Sequence, residues 1–247
     1  MLSGFYTAAS GILVQQRNIN VIGNNIANVS TPGYRGERLV TSTFDHEYLV
    51  RRENNGRNYT YLGTGSPVNI VDDIPVDYTA SSLKETDSPF DMALVGEGYF
   101  NIQGNERVYM TRNGNFDVDE QGYLILPEVG RVIGNNGFIQ VGGSDFTIKE
   151  DGTVYDGDGN EISRLMITMP SDDSELVKYN NALFICDNTR AAQGYSVYQN
   201  TLERSNIDMN DEYTRLIEAQ NAFKASSTAL GIVDSMNQKA AQLASIT

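Results

Sequence analysis

Asp117, Asp119, Gln121, Gly122 and Glu128 occupy the first, third, fifth, sixth and twelfth places of DVDEQGYLILPE, the spacing of a calcium-binding loop, with Leu124 at the eighth. That arrangement wraps oxygen donors around a hard cation while the glycine makes the sharp turn. Three features count against it. Gln121 stands where Asp or Asn is usual, Pro127 abuts the last ligand, and the flanks alternate like strands. A hairpin turn is therefore the better reading. DGDGNE, from Asp156, departs sooner, with Glu161 at the glycine place and Ile167 at the last, and reads as a turn.

Other reactive-looking residues fare no better. Asp117 and Asp119 share a strand face, as a glycosidase pair would, but neighbouring acids on one strand usually mark a wet edge. His46, in TFDHEY, has acidic neighbours and no second histidine, so it reads as a surface residue. Ser81 and Lys84 fit a Ser-x-x-Lys fragment without its companion motifs. Tyr34, Tyr59, Tyr61 and Tyr78 could form a binding stripe, although tyrosines in extended segments more often pin a chain to a neighbouring surface. With one cysteine, Cys186, and one histidine, many metal sites and triads are excluded. The expectation is a non-enzyme with no catalytic residues, no metal site and no cofactor.

The elements around these residues say more. The chain has 247 residues, 40% of them hydrophobic, enough to bury a core in one large domain or two smaller ones. Its net charge of -14 argues against a nucleic-acid partner, which needs a basic surface. Charge is unevenly placed. Residues 1–32 carry only Arg17, residues 196–247 carry six acids and four bases, and the acidity lies between. No apolar run is long enough for a membrane span, and the opening lacks the basic start of a secretory signal.

On a heptad grid Phe5, Ile12, Ile19 and Ile26 recur at one position, with Leu2, Ala9, Gln16 and Gly23 at its companion, which predicts an N-terminal helix with an apolar seam. The helix should end at Asn24, Asn25 and Asn28, before Thr31-Pro32-Gly33. Those asparagines suit either capping or hydrogen bonding between chains. Asp208 is a plausible N-cap for a second helix reaching Ser245. Leu216, Ala219, Phe223, Ser226, Leu230, Val233, Asn237 and Ala240 form one stripe on it. Ile217, Ile232, Met236, Leu243 and Ile246 form another, and two stripes imply more than one neighbour.

Between the helices the character changes. Thirteen of the 23 glycines fall between Gly96 and Gly159, where short alternating runs such as GYFNIQ, RVYMTR, GYLIL, DFTIKE and RLMITM are separated by Asn-Gly, Gln-Gly and Asp-Gly pairs. The predicted organisation is α+β. It places an N-terminal helix and exit turn in 1–35, an extended linker in 36–87, a β domain in 88–195 and a C-terminal helix in 196–247.

Three motifs in order then resemble the flagellar basal-body rod and hook protein family. ASGILVQQRNINVIGNNIANVSTPGYR, at 9–35, is similar to its N-terminal signature. SPFDMALVGEGYFNI, at 88–102, resembles the strand opening its β domain, and YMTRNGNFDVDEQGYLIL the next hairpin. LERSNIDMNDEYTRLIEAQNAFKASS, at 202–227, resembles its C-terminal signature, including the Ile-Glu-Ala-Gln core that ends on Gln220. Asn221, Phe223, Lys224 and Thr228 depart from the usual pattern, so the salt bridges of those family positions do not carry over.

The resemblance implies terminal helices paired as a coiled coil, lining a tube, with the β domain outside. It implies a structural axial subunit of the basal-body rod, proximal or distal, that polymerises helically and transmits torque. Its partners would be further copies, other rod and hook subunits, and the flagellar type III export apparatus, and it would be exported without a cleaved signal peptide. The expected assembly residues are Leu2, Phe5, Ala9, Ile12, Gln16, Ile19, Gly23, Asn24, Asn25, Ile26 and Asn28, with Asp208, Leu216, Ala219, Gln220, Phe223, Leu230, Val233, Met236 and Leu243. The rival readings are a hook-type axial protein, or a secreted β-module that binds calcium or glycan.

Overall fold

A computed structural model of the chain describes residues 2–44, 47–53, 58–66, 68–172 and 175–244; the side chains of 2, 3, 47, 49, 51–53, 58, 59 and 244 are not described. His46, Pro67, Ser245 and Ile246 lie outside the described residues, as do the side chains of Leu2 and Tyr59. Two compact units emerge, and both are discontinuous in sequence. One gathers residues 1–26, 37–77 and 208–247; the other gathers 27–36 and 78–207.

The first unit holds both long helices. Helix α1, Leu2–Ala27, runs through a stretch with no proline and a single charge. It stops where Thr31 N–H donates to Asn28 O (3.1 Å) and Tyr34 N–H to Thr31 O (3.3 Å), a turn that Pro32 keeps from continuing as helix. Helix α2, Met209–Ala244, is 36 residues long, about 54 Å at the usual rise. Asp208 caps it, its Oδ1 accepting the N–H groups of Asn210 (2.8 Å) and Asp211 (3.4 Å). Asp211 and Glu212 face the positive end of the helix dipole.

The segment read as an extended linker contains paired strands. Val40–Thr43 runs antiparallel to Asn69–Asp73, and Glu47–Glu53 forms a long hairpin with Asn58–Gly65. Its remainder, 78–87, belongs to the other unit, where Leu83–Glu85 pairs with Thr201–Glu203. Strands as short and polar as Val40–Thr43 and Leu83–Glu85 carry little apolar alternation, so their pairing is not visible in the local pattern.

The second unit is β-rich throughout. Its largest sheet runs in the order Val177–Asn180, Leu183–Ile185, Val108–Thr111, Tyr99–Gln103, Gly130–Gly134, Leu124–Leu126, Asp117–Val118, and Ile167–Pro170 joins Tyr99–Gln103 to Thr189–Ala191. Every pairing is antiparallel, as the Gly-containing hairpin turns anticipate. Phe100, Ile102, Leu124, Val132, Ile139 and Val154 have no exposed surface and form the core with a smaller sheet of Phe146–Ile148, Thr153–Asp156 and Glu161–Arg164.

Candidate functional site

In the helical unit, α1 and α2 approach one another in antiparallel register. A Cβ added at Gly4 would meet Val233 Cγ2 at 3.9 Å, and one at Gly11 would meet Ser226 Oγ at 3.1 Å. Asn25 Nδ2 reaches Glu212 Oε2 at 3.3 Å. Each advance along α1 is matched by an equal retreat along α2, in multiples of seven residues. Asn18 and Ala219, the step between, line one groove of about 360 Å³.

The face of α1 that is covered is therefore not the seam read from its large apolar residues. Ala8, Val14, Val21, Ile22 and Asn25 are buried. Phe5 is 39% exposed, Gln16, Gly23 and Asn24 are exposed, and Ala9, Ile12, Ile19, Ile26 and Asn28 are half-buried. The closing face is shifted by one residue, about 100° around the helix. At Gly11 the absence of a side chain lets α1 approach Ser226 of α2, while Val14, Val21 and Ile22 supply the apolar part of the covered face.

On α2 the first stripe is the covered one. Ala219 is 3% exposed, and Leu216, Phe223, Ser226, Leu230, Val233, Asn237 and Ala240 are half-buried. The second stripe is open, with Ile217 at 59%, Ile232 and Met236 at 56% and Leu243 at 69% exposed. Gln220 and the cap Asp208 are also exposed.

Asn25 does more than terminate a helix. Its Nδ2 donates to Glu37 O (2.8 Å) while its Oδ1 accepts Glu37 N–H (3.1 Å), so one carboxamide substitutes for a strand partner and returns the chain to the helical unit.

In the β unit, the exit turn is held by a buried ionic cluster that the sequence reading did not single out. Arg35 Nη2 lies 2.6 Å from Glu203 Oε1, Ser81 N–H donates to the same oxygen (3.2 Å), and Arg112 Nη1 approaches Oε2 at 3.6 Å, an ionic contact longer than a hydrogen bond. Arg35 also donates to Thr79 O, and Arg112 to Leu94 O and Gly96 O. Burial draws the Arg112 guanidinium below its ordinary value, Glu203 opposes that shift and Arg35 adds to it. Beside the cluster, Gly33 has φ +66° and faces the Arg112 backbone so closely that no side chain fits, while Tyr34 is buried under Lys178, whose Nζ sits 4.0 Å from the ring centroid. Gly33 N–H donates to Glu203 O (2.9 Å) and Gly36 N–H to Asn206 Oδ1 (2.8 Å). The one clue in the sequence is that Arg35 and Glu203 are opposite charges at the inner ends of the two terminal motifs.

The calcium-like loop is a hairpin turn. Asp119 Oδ1 accepts the N–H groups of Gln121 and Tyr123, Oδ2 is held by Arg131 at 2.6 Å, and Gln121 Oε1 accepts from the same guanidinium. Burial raises the Asp119 carboxyl, but the Tyr123, Arg131 and Gln121 hydrogen bonds together hold it below its usual range, the wrong direction for a general acid. Asp156 likewise accepts from the backbone of Asp158 and Asn160 to close its own turn. Ser81 Oγ donates to Ser205 O, and Lys84 lies in the strand paired with Thr201–Glu203. Tyr78 Oη donates to Leu176 O, and Tyr61 is 74% exposed.

Three family models match this chain: the flagella basal body rod protein model over residues 5–35, the flagellar hook protein FlgE/F/G D1 domain over 93–156, and the flagellar basal body rod FlgEFG protein C-terminal model over 198–243. The flagellar basal-body rod protein FlgG of Bacillus subtilis is 30% identical over 98% of this chain and 99% of its own length. The FlgF rod protein of Caulobacter vibrioides is 29% identical over 91% of each chain, and the flagellar hook-basal body complex protein FlhO of Bacillus subtilis 27% over 98% of each. Arg35 and the exit turn fall in the first matched segment and Glu203 in the last, so the buried pair joins the two matched end segments of a chain that belongs to the flagellar basal-body rod protein family.

Proposed function

We propose that the chain is an axial subunit of the flagellar rod that polymerises helically through α1 and α2 paired as a coiled coil, lines the export channel and transmits torque. The observation that carries this reading is the open stripe Ile217, Ile232, Met236 and Leu243 on a helix whose opposite stripe is already covered. Large apolar side chains repeated along one helix face are costly in water and are covered when a neighbouring helix packs on them. A contact between different faces of identical subunits does not close, and so builds a filament. The α1 residues Phe5, Ile12, Ile19 and Ile26, beside the closing face and only partly covered, supply the second surface. Further copies and other rod or hook subunits are the partners, and passage through the flagellar type III apparatus delivers the chain.

The test is polymer formation by purified full-length chain, followed by light scattering and electron microscopy, with Ile217→Asp and Ile232→Asp. Both variants should keep the circular dichroism of the monomer and lose the filament. Filaments of unchanged number and length in both would overturn the reading.

A further inference from the structure

A cleft of about 490 Å³ opens in the β unit, within the usual range for small-ligand sites of roughly 300–1,000 Å³. Its lining includes Tyr109 and Tyr179, with ring centroids 5.2 Å apart, and Tyr179 is 57% exposed. Around them stand Asn105, Asn181, Glu106 and Glu128. None of these four side chains bonds to any described residue, so two carboxamides and two carboxylates are left to solvent around an aromatic wall.

Glu128 is placed there against its backbone preference. Val129 N–H donates to Leu126 O (3.1 Å), closing a turn with Pro127 second and Glu128 third, and Glu128 takes φ +65°. Glycine or asparagine is the ordinary occupant of that third place. A glutamate retained in left-handed geometry, exposed and making no bond of its own, points to work done by its side chain.

The chemistry of the lining selects the ligand class. No lysine or arginine lines the cleft, and two carboxylates repel anions, which disfavours phosphates, nucleic acids and acidic sugars. Carboxylates and carboxamides accept and donate to hydroxyl and acetamido groups, and an exposed tyrosine face covers the C–H face of a pyranose ring. We propose that this cleft is a binding site for a neutral oligosaccharide, with Tyr179 as the platform and Glu106, Glu128, Asn105 and Asn181 as its polar rim. The site belongs to the β unit and does not rest on the polymerisation reading.

The experiment is calorimetric titration of the full chain with the trimer of N-acetylglucosamine and with cellotriose. At least one should bind saturably, Tyr179→Ala should weaken binding tenfold or more, and Tyr198→Ala, outside the cleft, should leave it unchanged. Glu128→Gly relieves the turn and should weaken binding at least threefold while the unfolding midpoint holds or rises. Absence of saturable binding to either sugar, unchanged binding in Tyr179→Ala, loss of binding in Glu128→Gly only in step with a lowered midpoint, or a response to calcium alone would each overturn the proposal.

Discussion

Arg35 and Glu203 meet at 2.6 Å although they lie 168 positions apart in the chain, each almost wholly buried, so the residue that follows the exit turn is bonded to the one that leads into the final helix. Their cluster carries two guanidinium groups and one carboxylate. Replacing Glu203 with Gln leaves both cations without a counter-charge, whereas replacing Arg35 with Met leaves Arg112 to face Glu203. Loss of one partner from a buried pair typically costs about 3–5 kcal/mol. Denaturant unfolding should place Glu203→Gln at or above the upper end of that range and Arg35→Met clearly below it. The reverse order would show that Arg112 does not share the charge.

Asn25 gives a second test. Asn25→Asp removes the donor to Glu37 O and sets a carboxylate beside Glu212, while Asn25→Ala leaves both Glu37 backbone groups without this partner. Each buried group left unbonded costs about 1–3 kcal/mol. Far-ultraviolet circular dichroism during thermal unfolding should show Asn25→Asp to be the more destabilised, and by a wider margin at neutral than at acid pH.

Two helix glycines should behave oppositely. At Gly11 an added side chain meets Ser226 at 3.1 Å, so Gly11→Leu should force the helices apart and lower stability. At Gly23 nothing lies within 4 Å, and Gly23→Ala should stabilise the monomer by roughly 0.5–1 kcal/mol through helix propensity. Equal effects at both sites would remove the close approach from the account of the helix pair.

The turns of the β unit predict an acid limb. Asp119, Asp151 and Asp156 are all held below their usual value, Asp119 by hydrogen bonds that outweigh burial, Asp151 chiefly by Thr153 and Asp156 chiefly by Asn160. A carboxyl whose folded value is depressed contributes stability that is fully present above its unfolded value, near pH 4, and is lost as pH falls through the folded value. The unfolding midpoint should therefore fall on acidification below about pH 5. Asp119→Asn should lower stability at pH 7 and flatten that limb.

Much of the architecture is readable from local pattern because helices and hairpins announce themselves within a few residues. Asp208 as cap, Thr31-Pro32-Gly33 as exit and Gly122, Gly137 and Gly152 in turns each follow from a backbone requirement that only certain residues meet. The pairing of Val40–Thr43 with Asn69–Asp73 is not legible locally, because a mostly exposed two-stranded ribbon imposes no alternation on its residues. On α1 the period alone fixes spacing and not phase: large residues at 5, 12, 19 and 26 share the period of small ones at 4 and 11, and only packing against α2 chooses which of them it covers.

What the amino-acid order determined on its own is a pair of long terminal helices with heptad stripes, a glycine-punctuated β region between them, and the motifs of a flagellar rod family. The tertiary structure alone decided which stripe closes inward, that Asn25 holds the backbone of Glu37, and that Arg35, Arg112 and Glu203 meet. Contacts of that kind join segments far apart in the chain, and their energy depends on distance and burial in three dimensions, quantities that no local spacing of residues encodes.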